Sequence, residues 1–153
     1  MRILQRLCFV RFNLCRDTRV EAPLEIRIGQ GAYQPDRSAA NPTGTGLRTA
    51  TFRVSGTLRL RGGYAGYGAP DPNARDIERY ATILSGDLAG NDLPGFQNME
   101  ENAYKVVYYI DAAAGSLLEG VTVSGGNANQ PSTPFNLRGG GLYIVRGAPT
   151  VVL

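Results

Sequence analysis

The chain has 153 residues, with 20 Gly, 9 Pro, 42% hydrophobic and 19% charged residues. That mix suits one domain of short strands and many turns, and it excludes both a long-helix protein and a fully disordered chain. There is no His, which removes Ser-His-Asp and Cys-His catalysis and every His-bearing metal site, and Lys105 is the only lysine available for Schiff-base or Ser-Lys chemistry.

The formal charge is +3, but residues 1–20 carry +4 (Arg2, Arg6, Arg11, Arg16 and Arg19 against Asp17), so the rest of the chain sums to −1. No basic stripe with interleaved aromatics continues past residue 20, and a nucleic-acid partner is not expected. Arg6 and Arg11 bound the run Leu7-Cys8-Phe9-Val10, which is shorter than the about 7–15 apolar residues of a secretory signal. No stretch reaches the roughly 18 apolar residues of a membrane span. Cys8 and Cys15 are spaced C-x6-C, matching no common zinc or redox motif, and read as two incidental thiols or one optional disulfide. Residues 1–22 read as a poorly ordered leader, and residues 23–153 as the folded segment.

From residue 24 the pattern changes. Leu24-Glu25-Ile26-Arg27-Ile28 alternates apolar and polar residues, the period of a half-buried strand, and Gly29-Gln30-Gly31 breaks it. Residues 34–48 form a Pro/Gly/Asn loop. Phe52-Arg53-Val54 and Leu58-Arg59-Leu60 are strand signals, the second stopped by Gly62-Gly63. A loop from Gly66 to Asn73 precedes one helical turn at Asp76–Tyr80. Thr82-Ile83-Leu84 is a short strand ended by Ser85-Gly86-Asp87, and residues 87–102 form a loop rich in acids and amides. Val106–Ile110 is the most apolar strand. Leu117-Leu118 and Val121-Thr122-Val123 follow, then a Pro/Asn loop over 127–137, then Leu142–Val145 and Thr150–Leu153.

Leu58-x-Leu60-x-Gly62-Gly63-x-Ala65 and Val121-x-Val123-x-Gly125-Gly126-x-Ala128 share one pattern, apolar-x-apolar-x-Gly-Gly-x-Ala. Short strands with tight Gly corners and no two-residue hairpin signals argue against a meander. They predict an all-β, right-handed parallel β-helix (a solenoid) of about two to three coils with long corner loops. Leu58, Leu60, Val121, Val123, Leu142 and Ile144 are expected inward, Arg59 and Thr122 outward. The chain ends on a strand without a capping helix and reads as the first part of a longer solenoid, whose edge would self-associate.

Three stretches carry a resemblance. They are Arg61-Gly62-Gly63-Tyr64-Ala65-Gly66 with Tyr80–Leu88; Leu118–Ala128; and Gly139-Gly140-Gly141-Leu142-Tyr143 with Gly147-Ala148-Pro149-Thr150-Val151. Together, over roughly residues 24–153, the chain resembles bacterial secreted or surface parallel β-helix repeat proteins of the pectate-lyase-like superfamily, including relatives of polymorphic outer-membrane proteins. Lys105 stands where such proteins often have His, and Ile144 where a turn Asn is common. The resemblance implies an extracellular or cell-surface location and polysaccharide or cell-envelope partners.

Candidate sites are few. Asp87, Asn91 and Asp92 cluster in one loop, where hard oxygen ligands would suit calcium. Capping of the turn by the same side chains is the preferred reading, so no cofactor is expected and calcium is the alternative. Tyr64, Tyr67, Tyr108, Tyr109 and Tyr143 would stack on sugar rings, with Arg59 and Arg61 on an outer face near Asp87 toward an acidic polymer; packing and solvation are the plainer readings. No catalytic residue is assigned. The expectation is a non-enzymatic structural or adhesive segment, with a fragment of a polysaccharide lyase or a carbohydrate-binding module as alternatives.

Overall fold

The structure, a computed structural model, describes residues 24–131 and 134–153. The leader over residues 1–22, with Cys8 and Cys15, lies outside the described residues. Ten strands follow in chain order: β1 (Leu24–Gly29), β2 (Gly31–Tyr33), β3 (Phe52–Gly56), β4 (Leu58–Tyr64), β5 (Thr82–Ser85), β6 (Val107–Ala112), β7 (Leu117–Glu119), β8 (Thr122–Ser124), β9 (Leu142–Gly147) and β10 (Thr150–Val152). A single 3-10 turn, Pro134–Leu137, precedes β9.

The strands sort into three sheets, ordered β1-β4-β7-β10, β2-β5-β8 and β3-β6-β9, and every neighbouring pair is parallel. The chain visits the first, second and third sheets in turn and then returns to the first. This is a parallel β-helix of three coils, with β10 opening a fourth. The expected strands are present with two differences. Gly62 and Gly63 do not stop β4, which runs on to Tyr64. Gly31, expected only to break the preceding strand, instead opens a strand of its own, β2, over Gly31–Tyr33. It is only three residues long, too short for a period-two pattern to show.

Register explains the core. Ile26 pairs with Leu60, Leu60 with Leu118, and Leu118 with Val151, making one inward column through the first sheet. Tyr33, Leu84 and Val123 form the column of the second sheet. Phe52, Val107 and Leu142, with Val54, Tyr109 and Ile144, form those of the third. Leu60, Leu84, Val107, Tyr109 and Leu118 are buried at 0–1% exposure. Removing each such side chain from water contributes roughly 1.5–3 kcal/mol. Ile144 shares the inward column but is 39% exposed, because no described strand lies beyond β9 in its sheet. Arg59 and Thr122 are exposed, as the alternation requires.

The two Gly-Gly motifs occupy different sheets. Leu60 belongs to the first sheet and pairs with Leu118, whereas Val123 belongs to the second and pairs with Leu84. What recurs is a strand-and-corner unit used at successive corners, not one position in successive coils. The corners bring backbones close. A Cβ on Gly62 would run into the Gly120 carbonyl oxygen and come within 2.9 Å of Thr82 Cβ. Gly125 takes φ 68°, a left-handed conformation that costs a side-chain-bearing residue about 1–2 kcal/mol. The buried Thr82 hydroxyl completes the first corner by accepting from Gly63 N at 3.0 Å and donating to Gly29 O at 3.2 Å.

Three long connections, residues 34–51, 86–106 and 125–141, all leave the second sheet and enter the third. They therefore stack beside one another as a loop layer along one edge of the helix. A fourth, residues 65–81, spans the first corner of the second coil, and Asp76 caps its helical turn through Glu78 N at 3.1 Å and Arg79 N at 3.0 Å. Among the described residues, no helix is long and apolar enough to cross a membrane.

Candidate functional site

The acidic loop lies in the middle of the loop layer. It begins at Asp87, directly after β5 and the tight Ser85-Gly86 corner. One Asp87 carboxylate oxygen accepts from Gly90 N at 2.6 Å and Asn91 N at 3.1 Å, and the other accepts from Asp92 N at 3.1 Å. Asp87 is thus the cap of its own turn, and this curls Asp92 back toward it. Asp87, Asp92 and Glu101 then each bring a carboxylate oxygen within 4.8 Å of the others. Asn91 is exposed, and its backbone carbonyl accepts from the Asn98 side chain at 3.1 Å. Beside the group, the fully buried Asn102 donates its amide nitrogen to both Asp92 oxygens, at 2.9 and 3.1 Å.

Neighbouring coils hold this loop from both sides. Gln34 donates to the Asp87 carbonyl at 2.6 Å from the first coil. Arg48, also of the first coil, donates through Nε to the Asn102 carbonyl at 2.6 Å. The same guanidinium reaches Asn127 O at 3.2 Å and Asn129 Oδ1 at 2.7 Å in the third coil, and it lies 4.2 Å from the centre of the Tyr104 ring. One arginine therefore binds three coils. Sequence reading passed over Glu101, Asn102 and Arg48. No short-range pattern links them to Asp87 or Asp92; only the parallel stacking of loops does.

The ligand-binding candidates are distributed elsewhere. Tyr67 is 95% exposed in the 65–81 loop, whereas Tyr64 is buried at 5%, with the guanidiniums of Arg27 and Arg75 at 5.5 and 5.7 Å from its ring centre. Arg59 is exposed and its Nε donates to Gly115 O at 3.3 Å. Arg61 lies in a ladder of charges on the outer face of the first sheet. It pairs with Glu119 at 2.8 Å and Glu25 at 3.7 Å, and Glu119 also pairs with Arg75 at 3.0 Å. The hydrogen bond from Arg61 holds the Glu119 carboxyl below its ordinary range, against the opposing effect of burial. A recess of about 380 Å³ opens beside this ladder, lined by Arg75, Asp76, Ile77 and Glu119 among others. Neither Arg59 nor Arg61 makes an ion pair with Asp87 among the described residues.

Lys105 sits under an aromatic group on the third sheet. The outward residues Tyr108 and Tyr143 are register partners and stack, with ring centres 5.8 Å apart and planes 18° apart. Phe135 meets both edge-on, at 5.3 and 5.4 Å. The Lys105 ammonium donates to Phe135 O and lies 3.9 Å from the Phe135 ring centre. Its burial lowers the lysine pKa from its ordinary value. Cation–π contact and a carbonyl replace water around a charge that has no carboxylate partner among the described residues.

No known protein family, curated protein or solved structure matches the chain. What the geometry defines is the class: a parallel β-helix with a paired outer ladder, an aromatic patch and an acidic loop layer.

Proposed function

We propose that the chain is a non-enzymatic, secreted or cell-surface β-helix segment with a structural or adhesive role, related to the pectate-lyase-like superfamily. The observation that carries this reading is the outer ladder Glu25–Arg61–Glu119–Arg75. Arg61 and Arg75 are cations of the kind that an enzyme acting on an acidic polymer would turn toward its substrate. Here they are turned toward Glu25 and Glu119 and tie successive coils together. Partners on this reading are polysaccharides or other cell-envelope components.

The test is to incubate the full chain with polygalacturonate and alginate, with and without calcium, and to follow both unsaturated products and retention on the immobilised polymers. Binding without cleavage is the expected result; calcium-dependent release of unsaturated sugars would establish the lyase alternative instead. Surface labelling of intact source cells should reach the chain, and recovery solely in the cytosol would remove the surface assignment.

The aromatic patch favours one narrower version, a carbohydrate-binding surface. Phe135 is 42% exposed above the stacked Tyr108 and Tyr143, and exposed aromatic faces suit sugar rings by burying their apolar sides. On this version Phe135→Ala weakens retention on the polymers and Tyr64→Ala, at a buried ring, acts only through stability.

A further inference from the structure

The acidic group has a property that turn capping does not explain. Three carboxylates converge within 4.8 Å, and among the described residues no Arg or Lys forms an ion pair with any of them. Backbone N–H groups account for both oxygens of Asp87, and the Asn102 amide for those of Asp92. Two oxygens are left over. Glu101 Oε1 and Asn102 Oδ1 are both buried and have no hydrogen-bond partner, and Asn102 as a whole is 0% exposed. A buried acceptor without a donor is costly and rare in native proteins. Glu101 belongs to the convergent set, and the buried Asn102 amide lies against that set through its nitrogen; orphaned acceptors beside three unneutralised carboxylates call for a positive ligand rather than for more capping.

We propose that Asp87, Asp92, Glu101 and Asn102 form a calcium site that fastens the second-coil loop to the loop layer. Ligand chemistry favours this ion. All the donors are hard oxygens, and the carboxylates already lie within 4.8 Å of one another. Calcium accepts such a flexible, irregular set of protein oxygens, whereas magnesium demands near-ideal octahedral geometry and usually keeps several of its waters. Asn102 supplies the fourth side chain by turning its amide over. Its nitrogen now faces the Asp92 carboxylate, as a donor must. With a cation between them the oxygen faces it instead, and the unpartnered acceptor becomes a ligand. The site takes Asp87 and Asp92 from the sequence pattern, and replaces Asn91 with two residues that follow later in the same loop. It is independent of whether the chain is adhesive.

The full chain, stripped of metal with a chelator, is titrated with calcium chloride alone by calorimetry and by thermal unfolding, with magnesium chloride in parallel. Calcium is expected to bind at about one ion per chain and to raise the melting temperature, and magnesium to do so less. Glu101→Gln removes a ligand that makes no hydrogen bond to the rest of the chain. Its metal-free melting temperature should therefore equal or exceed that of the parent, since one of three mutually repelling carboxylates is neutralised, while calcium affinity falls on the order of 100-fold. Asp92→Asn provides a second variant with the same expected loss of affinity, its fold checked by circular dichroism. Absence of both heat and thermal shift at millimolar calcium would overturn the proposal. So would an undiminished calcium response in both variants, which would place the ion elsewhere.

Discussion

Arg48 Nε donates to the carbonyl oxygen of Asn102 at 2.6 Å across 54 residues of sequence. The bond joins loops of the first and second coils, and Nη2 of the same guanidinium extends it to Asn127 and Asn129 in the third. The planar fork makes this possible, because it presents several donors in fixed directions from one side chain.

Replacing Arg48 by Ala should therefore destabilise the chain by about 1–3 kcal/mol, chiefly by leaving the Asn102 and Asn127 carbonyls without their donor. Arg48→Lys should recover only part of this, since one ammonium cannot reach all three acceptors. Urea denaturation gives the magnitude. Limited proteolysis should show faster cleavage within residues 86–106 in the variant, and an unchanged cleavage pattern would mean that the loop layer stands without this rivet.

Gly62→Ala tests the corner geometry. The added Cβ would meet Gly120 O, Val121 Cγ1 at 2.7 Å and Thr82 Cβ at 2.9 Å, so two coils must separate locally to admit it. An overpacking cost of about 1–3 kcal/mol is expected. The denaturation midpoint reports it, and a midpoint equal to the parent's would show that the corner is slack.

Alkaline unfolding should depend on Tyr109. Burial pushes its phenol up to about 12 from 10.0. The folded state thus keeps the proton while the unfolded chain loses it. The stability held by the neutral phenol is fully present below pH 10 and is lost as pH rises from about 10 to 12. Tyr109→Phe removes that ionisation and should move the alkaline unfolding midpoint to higher pH. Tyr33, raised in the same way by burial, keeps part of the slope. An unshifted midpoint in a pH-jump fluorescence titration would show that Tyr109 is not what alkali attacks.

Local alternation in the sequence determined most of the strands, from Leu24–Ile28 to the final Thr150–Leu153 segment, because period two is a property of the strand itself. Gly-rich breaks marked the corners for an equally local reason. The class of fold followed from the shortness of the strands and the absence of hairpin turns. The acidic loop was visible as a cluster of oxygen ligands, since Asp87 and Asp92 are close along the chain.

The pairing of coils was decided only in three dimensions. In the first sheet, successive partners are Leu24 and Leu58, Leu60 and Leu118, then Leu118 and Val151. Their separations of 34, 58 and 33 residues give no fixed period, because corner loops of unequal length intervene without disturbing the register. The Gly-Gly motif accordingly matched different corners of successive coils, not one corner repeated from coil to coil. For the same reason Glu101, Asn102 and Arg48 carried no signal beside Asp87. Their approach depends on which loops stack. Stacking is set by inward columns such as Ile26–Leu60–Leu118–Val151, which hold coils in register while hydrophobic burial, unlike alternation, is indifferent to distance along the chain.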